Sequence, residues 1–344
     1  SFSTANFYDL FNHWTFPFPG KLGLKGEVAS KEAETAKFQF EMATRDLIAE
    51  LKESYYELLY IDKSIQTIRQ NKELAEHLAK FSTTEYSRDA TTLNDVLKAQ
   101  SQLGQLDNDL VLLTELWIAE AAHINTLLDL APDRPIGNPV DAEFLPFDME
   151  LKELYQLARE HQHELAINGI EIEKTRSKLG LAKRQYYPDF RVTLKHFENN
   201  GITQNQGYGV LFGINAPIWL QKNRARVQEA ESRLEALAFE KKDRENKTFA
   251  EINAVYFKLK NFERLVKLYK ESLIPQSLQS LEIAETWYRE KKGSFTGLLE
   301  ARSIWLNFSL AYHRAKTDFF QNVAKMEKLL GTNLAISRSM ENTK

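Results

Sequence analysis

The chain has 344 residues, a formal net charge of −3 and no cysteine; this excludes disulfides, thiolate metal sites and cysteine nucleophiles, and leaves no electrostatic footprint for nucleic acid. Only 14 glycines and 9 prolines punctuate it, about 7 % against a usual total near 12 %, which argues against an all-β fold and for long uninterrupted helices. Charged residues make up 27 % and no stretch approaches the ~20 apolar residues of a membrane-spanning helix, so a helical membrane protein is excluded, whereas a β-barrel with short, half-apolar strands is not.

The segment from Asn6 to Phe18 is aromatic, ends in Pro17 and Pro19, and reads as a strand. A turn over Gly20-Lys21-Leu22-Gly23 follows. From about Leu24 to Phe81 there is no proline, and no glycine after Gly26. One helix over that span would be about 85 Å long, so it must lie along other helices. Leu51, Tyr55, Leu58 and Ile65 form one stripe on it. Turn and N-cap residues between Tyr86 and Asn94 lead to a second helix that runs to about Leu130. Its Leu103, Leu106, Leu110, Leu113 and Trp117 make a heptad seam. Pro132 and Pro135 end it, and loop is expected to Pro146.

A third helix is expected over Met149 to Gln185, stopped by Tyr187-Pro188. Phe190 to Phe197 then alternates, with Phe190, Val192 and Leu194 on one face. After a polar loop from Asn199 through Gln206, the segment Gly207 to Ile218 puts Tyr208, Val210, Phe212 and Ile214 on one face, giving a hairpin with one apolar side. Helical pattern resumes after Pro217. Ile252, Val255, Leu259, Phe262, Val266, Tyr269 and Leu273 are spaced 3, 4, 3, 4, 3, 4, the cleanest heptad run in the chain. Pro275 is expected to kink or interrupt it. A turn at Lys291-Lys292-Gly293-Ser294 precedes a last helix through about Leu330, with Gly331 as its C-cap and a frayed tail to Lys344.

The chain carries an internal duplication. Ala49-Glu50-Leu51 and Tyr55-Tyr56-Glu57-Leu58 match Ala250-Glu251-Ile252 and Tyr256-Phe257-Lys258-Leu259 at an offset of 201. Tyr86, Leu97, Ala99 and Ser101 match Tyr288, Leu299, Ala301 and Ser303 at 202, as does Leu127-Leu128 with Leu329-Leu330. The expected organisation is a first repeat over 1–146, an intervening helix over 147–186, a second repeat over 187–331 and a tail over 332–344. Each repeat reads strand, long helix, polar turn, returning helix.

Four segments resemble the outer-membrane efflux channels of the TolC type, the branch serving resistance–nodulation–division pumps and heavy-metal efflux. Phe16-Pro17-Phe18-Pro19-Gly20-Lys21-Leu22 is similar to the family's strand-to-helix corner, and Tyr187-Pro188-Asp189-Phe190 to the start of its second strand pair. Tyr86 through Ala99 and Tyr288 through Ala301 resemble its two periplasmic tips. The resemblance implies a mainly α fold with a small β part: long antiparallel coiled-coil hairpins and short strands, duplicated, that close as a homotrimer into a helical tunnel and a shared β-barrel. It implies an outer-membrane location with a large periplasmic part. It also implies passive conduction of solutes expelled by an inner-membrane resistance–nodulation–division pump through a periplasmic adaptor, with outer-membrane lipid as surroundings.

Two features depart from the family pattern. One strand rather than two precedes the first long helix, so the N-terminal helix and first strand read as missing and the chain as a trimmed form or ordered core. The tip glycine expected three residues after each tyrosine is Asp89 in the first half and Lys291 in the second. By the resemblance, Ser87, Arg88, Asp89, Thr91 and Thr92 form one adaptor-docking tip. Arg289, Glu290, Lys291, Lys292, Gly293 and Ser294 form the other. Gly297 and Glu300 stand where some relatives narrow the tunnel entrance with acids.

Phe7, Tyr8, Phe11, Trp14, Phe16, Tyr186, Tyr187, Phe190 and Trp219 cluster near strand ends, suiting interfacial girdles; the alternative is the core of a soluble sandwich. No catalytic constellation appears: there is no HExxH, no G-x-S-x-G, and the glycines from Gly20 to Gly26 lack the Gly-Lys-Ser/Thr ending of a P-loop. No enzyme activity, cofactor or metal is therefore expected. His161 and His163 point to different sides of a predicted helix. Glu50, Glu53 and Glu57 read as solvated or as partners within one helix. The competing reading is a soluble coiled-coil scaffold without a transport role.

Overall fold

The computed structural model describes residues 10–89, 91–141, 143–199 and 205–334. In chain order the elements are β1 (Leu10–Phe16), α1 (Lys21–Tyr86), α2 (Leu93–Leu127), α3 (Leu151–His161), α4 (His163–Arg184), β2 (Asp189–Asn199), β3 (Asn205–Asn215) and α5 (Leu220–Leu268). A π-helical turn (Tyr269–Leu273) joins α5 to α6 (Ile274–Arg289), and α7 (Phe295–Leu330) completes the order. The mainly helical fold with a small antiparallel sheet is the one expected. Phe7, Tyr8 and the tail beyond Leu334 lie outside the described residues, as do residues 200–204 of the expected polar loop.

The chain divides into two compact units. The first holds the described residues up to Met42 together with His163–Lys247. Its sheet has the order β1-β2-β3, both pairs antiparallel. Register aligns Phe16 with Phe190 and Ile214, and Trp14 with Val192 and Phe212. Because side chains alternate along a strand, these residues share one face with Leu194 and Val210. Thr15, Arg191, His13, Thr193 and Lys195 take the other. The pairing extends β2 and β3 to Asn199 and Asn205, beyond the expected ends, while β3 stops at Asn215, before Pro217.

α1 begins at Lys21, earlier than expected: only Gly20 keeps a turn conformation (φ 83°), and Gly23 and Gly26 lie inside the helix. A buried lysine explains the corner. Lys21 Nζ donates to Asp189 Oδ1 and to the Tyr187 carbonyl, both at 2.8 Å. The same carboxylate accepts the Phe18 amide at 2.9 Å. The Phe18 and Tyr187 rings stack at 4.5 Å. Both quoted corner segments, Phe16–Leu22 and Tyr187–Phe190, thus meet at one junction.

The second unit holds Ala43–Gln162 and the residues from Thr248 onward. Its main core gathers Phe147 from the loop, Leu154 and Ala158 from α3, Ile252 and Leu259 from α5, and Phe319, Phe320, Met326 and Leu330 from α7. The loop and α3 therefore supply an apolar layer that a bare helical hairpin lacks. Tyr55 clips the loop by both donating to and accepting from the Val140 backbone. Smaller clusters continue along α1, around Leu58 with Ala121 and Ile124, and around Ile68 with Leu106.

Three sequence expectations are corrected here. The third helix is broken into α3 and α4 at Gln162, which is extended (φ −70°, ψ 121°). The left-handed Gly331 that caps α7 presses on this break: a Cβ there would lie 2.2 Å from the His161 carbonyl oxygen. No local glycine or proline announces the break, because its partner is 170 residues away. Glu53 and Glu57 are not merely solvated or paired within their own helix. Arg314 on α7 donates to both oxygens of Glu57 at 2.8 Å, and Lys325 lies 3.5 Å from Glu53. Finally, α2 is, among the described residues, the one helix long and apolar enough to cross a membrane by length and composition. Its isolated charges hid an apolar average from a search for unbroken runs. Val111, Leu112, Leu116 and Ile118 on it are exposed.

Candidate functional site

The two turns of the helical hairpins are built on one plan. In the first, α1 ends at Tyr86 and Asp89, three residues on, turns left-handed (φ 55°). The Ser87 hydroxyl donates to the Thr84 carbonyl at 2.7 Å. Thr92 is then the N-cap of α2, in a capping box with Asp95. The Thr91 and Thr92 hydroxyls each donate to Asp95 Oδ2 at 2.9 Å. Burial opposes ionisation of Asp95, but these bonds and the Thr92 amide outweigh it and hold the carboxyl below the usual range.

In the second turn, α6 ends at Arg289 and Lys291, three residues after Tyr288, is left-handed (φ 60°). The Lys292 and Gly293 amides both donate to the Trp287 carbonyl, at 2.9 and 3.1 Å. Gly293 sits so close to Trp287 that a Cβ would come within 3.1 Å of it. Ser294 caps α7 by accepting the Gly297 amide at 3.1 Å. The positions where the resemblance expects glycine are thus genuine left-handed positions, held by aspartate and lysine instead.

The structure brings the two predicted tips together. Lys291 Nζ lies 3.7 Å from Glu85, and Lys98 Nζ donates to the Thr296 hydroxyl at 3.0 Å. The Phe81 and Tyr288 rings meet edge to face at 5.8 Å. Between them opens a cleft of about 310 Å³, lined by residues of both turns, among them Glu85, Thr91, Arg289 and Ser294. Ser87, Arg88, Asp89, Glu290 and Lys292 are exposed beyond it. Sequence reasoning missed Glu85, Asp95 and Lys98. Asp95 was readable from the Thr-x-x-Asp spacing; the other two act across the tip and left no local signal.

Gly297 and Glu300 lie on the exposed side of the first turns of α7. Glu300 borders a groove with Lys98, Ser101 and Ser303. Among the described residues no group of three or more histidines or carboxylates could hold a metal. His161 and His163 fall on different helices; His163 Nε2 faces Glu41 at 3.8 Å.

At the sheet, the apolar face is open. Trp14, Phe16, Phe190, Tyr208, Val210, Phe212 and Ile214 are all exposed, Phe212 to 82 %. Tyr186, Tyr187 and Trp219 flank it, also exposed. These aromatics therefore do not form a sandwich core. Phe11 lies in β1, but its side chain is outside the described residues.

The sequence matches a family model described as outer membrane efflux protein over residues 10–129 and 154–332. No curated protein matches it in sequence. The fold is similar to that of the outer membrane protein VceC of Vibrio cholerae, with a TM-score of 0.82 at 17 % identity, over 94 % of this chain and 79 % of that one. The Campylobacter jejuni CmeC outer membrane channel is similar with a TM-score of 0.79 at 12 % identity, over 98 % and 81 %. The open state of the Neisseria gonorrhoeae MtrE outer membrane channel gives 0.77 at 15 %, over 96 % and 80 %.

Proposed function

The chain belongs to the outer membrane efflux protein family, and from that premise we propose that it is the exit duct of a tripartite efflux system. The family sets it in the outer membrane of a Gram-negative bacterium, with a large periplasmic part, among channels rather than enzymes. In the proposed mechanism three copies join their sheets edge to edge into a barrel and their helices into a tunnel. Solutes driven by an inner-membrane pump pass through passively. A periplasmic adaptor docks on the two tips, and the tip end of the second hairpin swings outward to open the duct.

The observation that carries this reading is the sheet. Its outer strands β1 and β3 each leave one side unpaired among the described residues, and an unpaired edge is a template for another chain. Closing such edges makes a barrel. One face exposes Trp14, Phe16, Phe190, Val210, Phe212 and Ile214, with Asn12 and His196 at its register positions toward the far end of the strands, while the other holds Arg191, Thr193 and Lys195 beside Leu211, a division that suits lipid outside and water inside. The exposed apolar flank of α2 suits contact with a neighbouring copy rather than with solvent.

The experiment is the size of the detergent-extracted protein together with its conductance in planar bilayers. A trimer that conducts, and whose binding to a periplasmic adaptor falls at least tenfold when Arg88, Arg289 and Lys292 are changed to glutamate, supports the duct. A protein that is monodisperse and soluble without detergent supports a coiled-coil scaffold instead.

A further inference from the structure

We infer that the π-helical turn Tyr269–Leu273 is a one-residue insertion that makes α6 the pivoting member of the tip. The inference deepens the duct reading, but its test does not require the protein to conduct.

Three observations meet at this turn. The first is the duplication, whose offset is 201 up to Leu259 and 202 from Tyr288 onward; one extra residue therefore lies between them. The second is the inward seam. Ile252, Leu259 and Val266 are buried at heptad spacing, which would continue through 276 and 280. Gln276 and Ser280 are instead exposed, and Ser277 and Leu281 are buried. The seam has slipped by one residue. In α1 the same seam runs unbroken through Leu58, Ile61, Ile65, Ile68, Ala75 and Ser82. Ala75 matches Ser277 only at an offset of 202. The third is the backbone: the Ile274 amide donates to the Tyr269 carbonyl, five residues back, which is the bond of a π turn. Such a turn is how an α-helix absorbs one added residue.

The turn is a weak point in an otherwise stiff rod. None of its five residues is buried. Pro275 follows at once and brings no N–H, so the next rung of the ladder has no donor. Before the turn, α5 is fixed in the main core through Ile252 and Leu259. After it, α6 rests on the small cluster of Leu281 with Leu298, Ala301 and Leu78. α1, α2 and α7 are continuous α-helices at the facing levels. The freedom is thus confined to α6 and the turn that follows it.

The test is hydrogen exchange on the purified protein, with α1 as the internal control. Residues 270–277 should exchange at least tenfold faster than their counterparts at 68–75. Deleting Lys270 together with Pro275→Ala should restore a plain α-helix and bring the two segments to equal protection. The absence of native cysteine allows spin labels at Lys80→Cys on α1 and Glu282→Cys on α6. Their distance distribution should be broad in the parent and narrow in the deletion variant. If the deletion prevents folding, Pro275→Ala alone should still slow exchange and narrow the distribution. Equal protection of the two segments in the parent, or a distribution that neither variant narrows, overturns the hinge.

Discussion

At Asp89 and Lys291 the backbone adopts a left-handed turn, which costs a non-glycine residue about 1–2 kcal/mol. Aspartate tolerates it better than most residues, because its short side chain bonds locally; lysine has no such relief. The Lys291 ammonium meets Glu85 at 3.7 Å but is exposed, and such pairs contribute about 0–1 kcal/mol. Lys291→Gly should therefore raise stability by up to about 1 kcal/mol, after the added freedom of the unfolded chain is subtracted. A shift of the denaturation midpoint to higher denaturant checks it, with Lys291→Ala as a control that shows no gain. These two positions were legible in the sequence, because each lies three residues after a repeated tyrosine. The ion pair of Lys291 was not, since Glu85 lies more than 200 residues from it along the chain.

Between elements, the contact of α1 with α7 holds a buried cation. Arg302 is 1 % exposed and donates to the side-chain and backbone oxygens of Asn71, itself fully buried. Burial pulls the guanidinium down to about 10, so it stays protonated at neutral pH. Its Nη1 and the Asn71 Nδ2 find no hydrogen-bond partner among the described residues. Removing the asparagine leaves a buried charge without its acceptor, and Asn71→Ala should cost about 3 kcal/mol. The double change Asn71→Leu with Arg302→Met should be at least as stable as the parent. Chemical denaturation of both variants measures this; equal losses in the two would show that the polar pair stabilises the contact outright. Heptad spacing made the helices legible. The break at Gln162 was not, because its cause is the cap of α7 packed against it rather than any residue nearby.

For the whole molecule, the exposed apolar flank of α2 argues for burial against a second copy. Leu112→Lys and Ile118→Glu lie on solvent-exposed positions of the single chain, so each should alter its stability by no more than about 0.5 kcal/mol. Assembly should suffer instead: the mass in detergent is expected to fall from trimer to monomer. An unchanged trimer would remove α2 from the interface between copies. The fold class, the outer-membrane family and the positions of the two helix–helix turns were legible from four short segments and a duplication; that the two turns meet was not. The apolar layer contributed by the loop before α3 was not, because Phe144 and Phe147 follow no period and find their partners only in three dimensions.

The slip in register has a consequence for how the two halves diverged. One additional codon in a straight α-helix turns everything beyond it by about 100°. Leu281 would then have faced water, and the caps at Thr92 and Ser294 would have lost their equivalence. Because the widened turn swallowed the newcomer, the distal end kept its orientation, and the ancestral twofold likeness survives in both tips while only one of the two rods can yield.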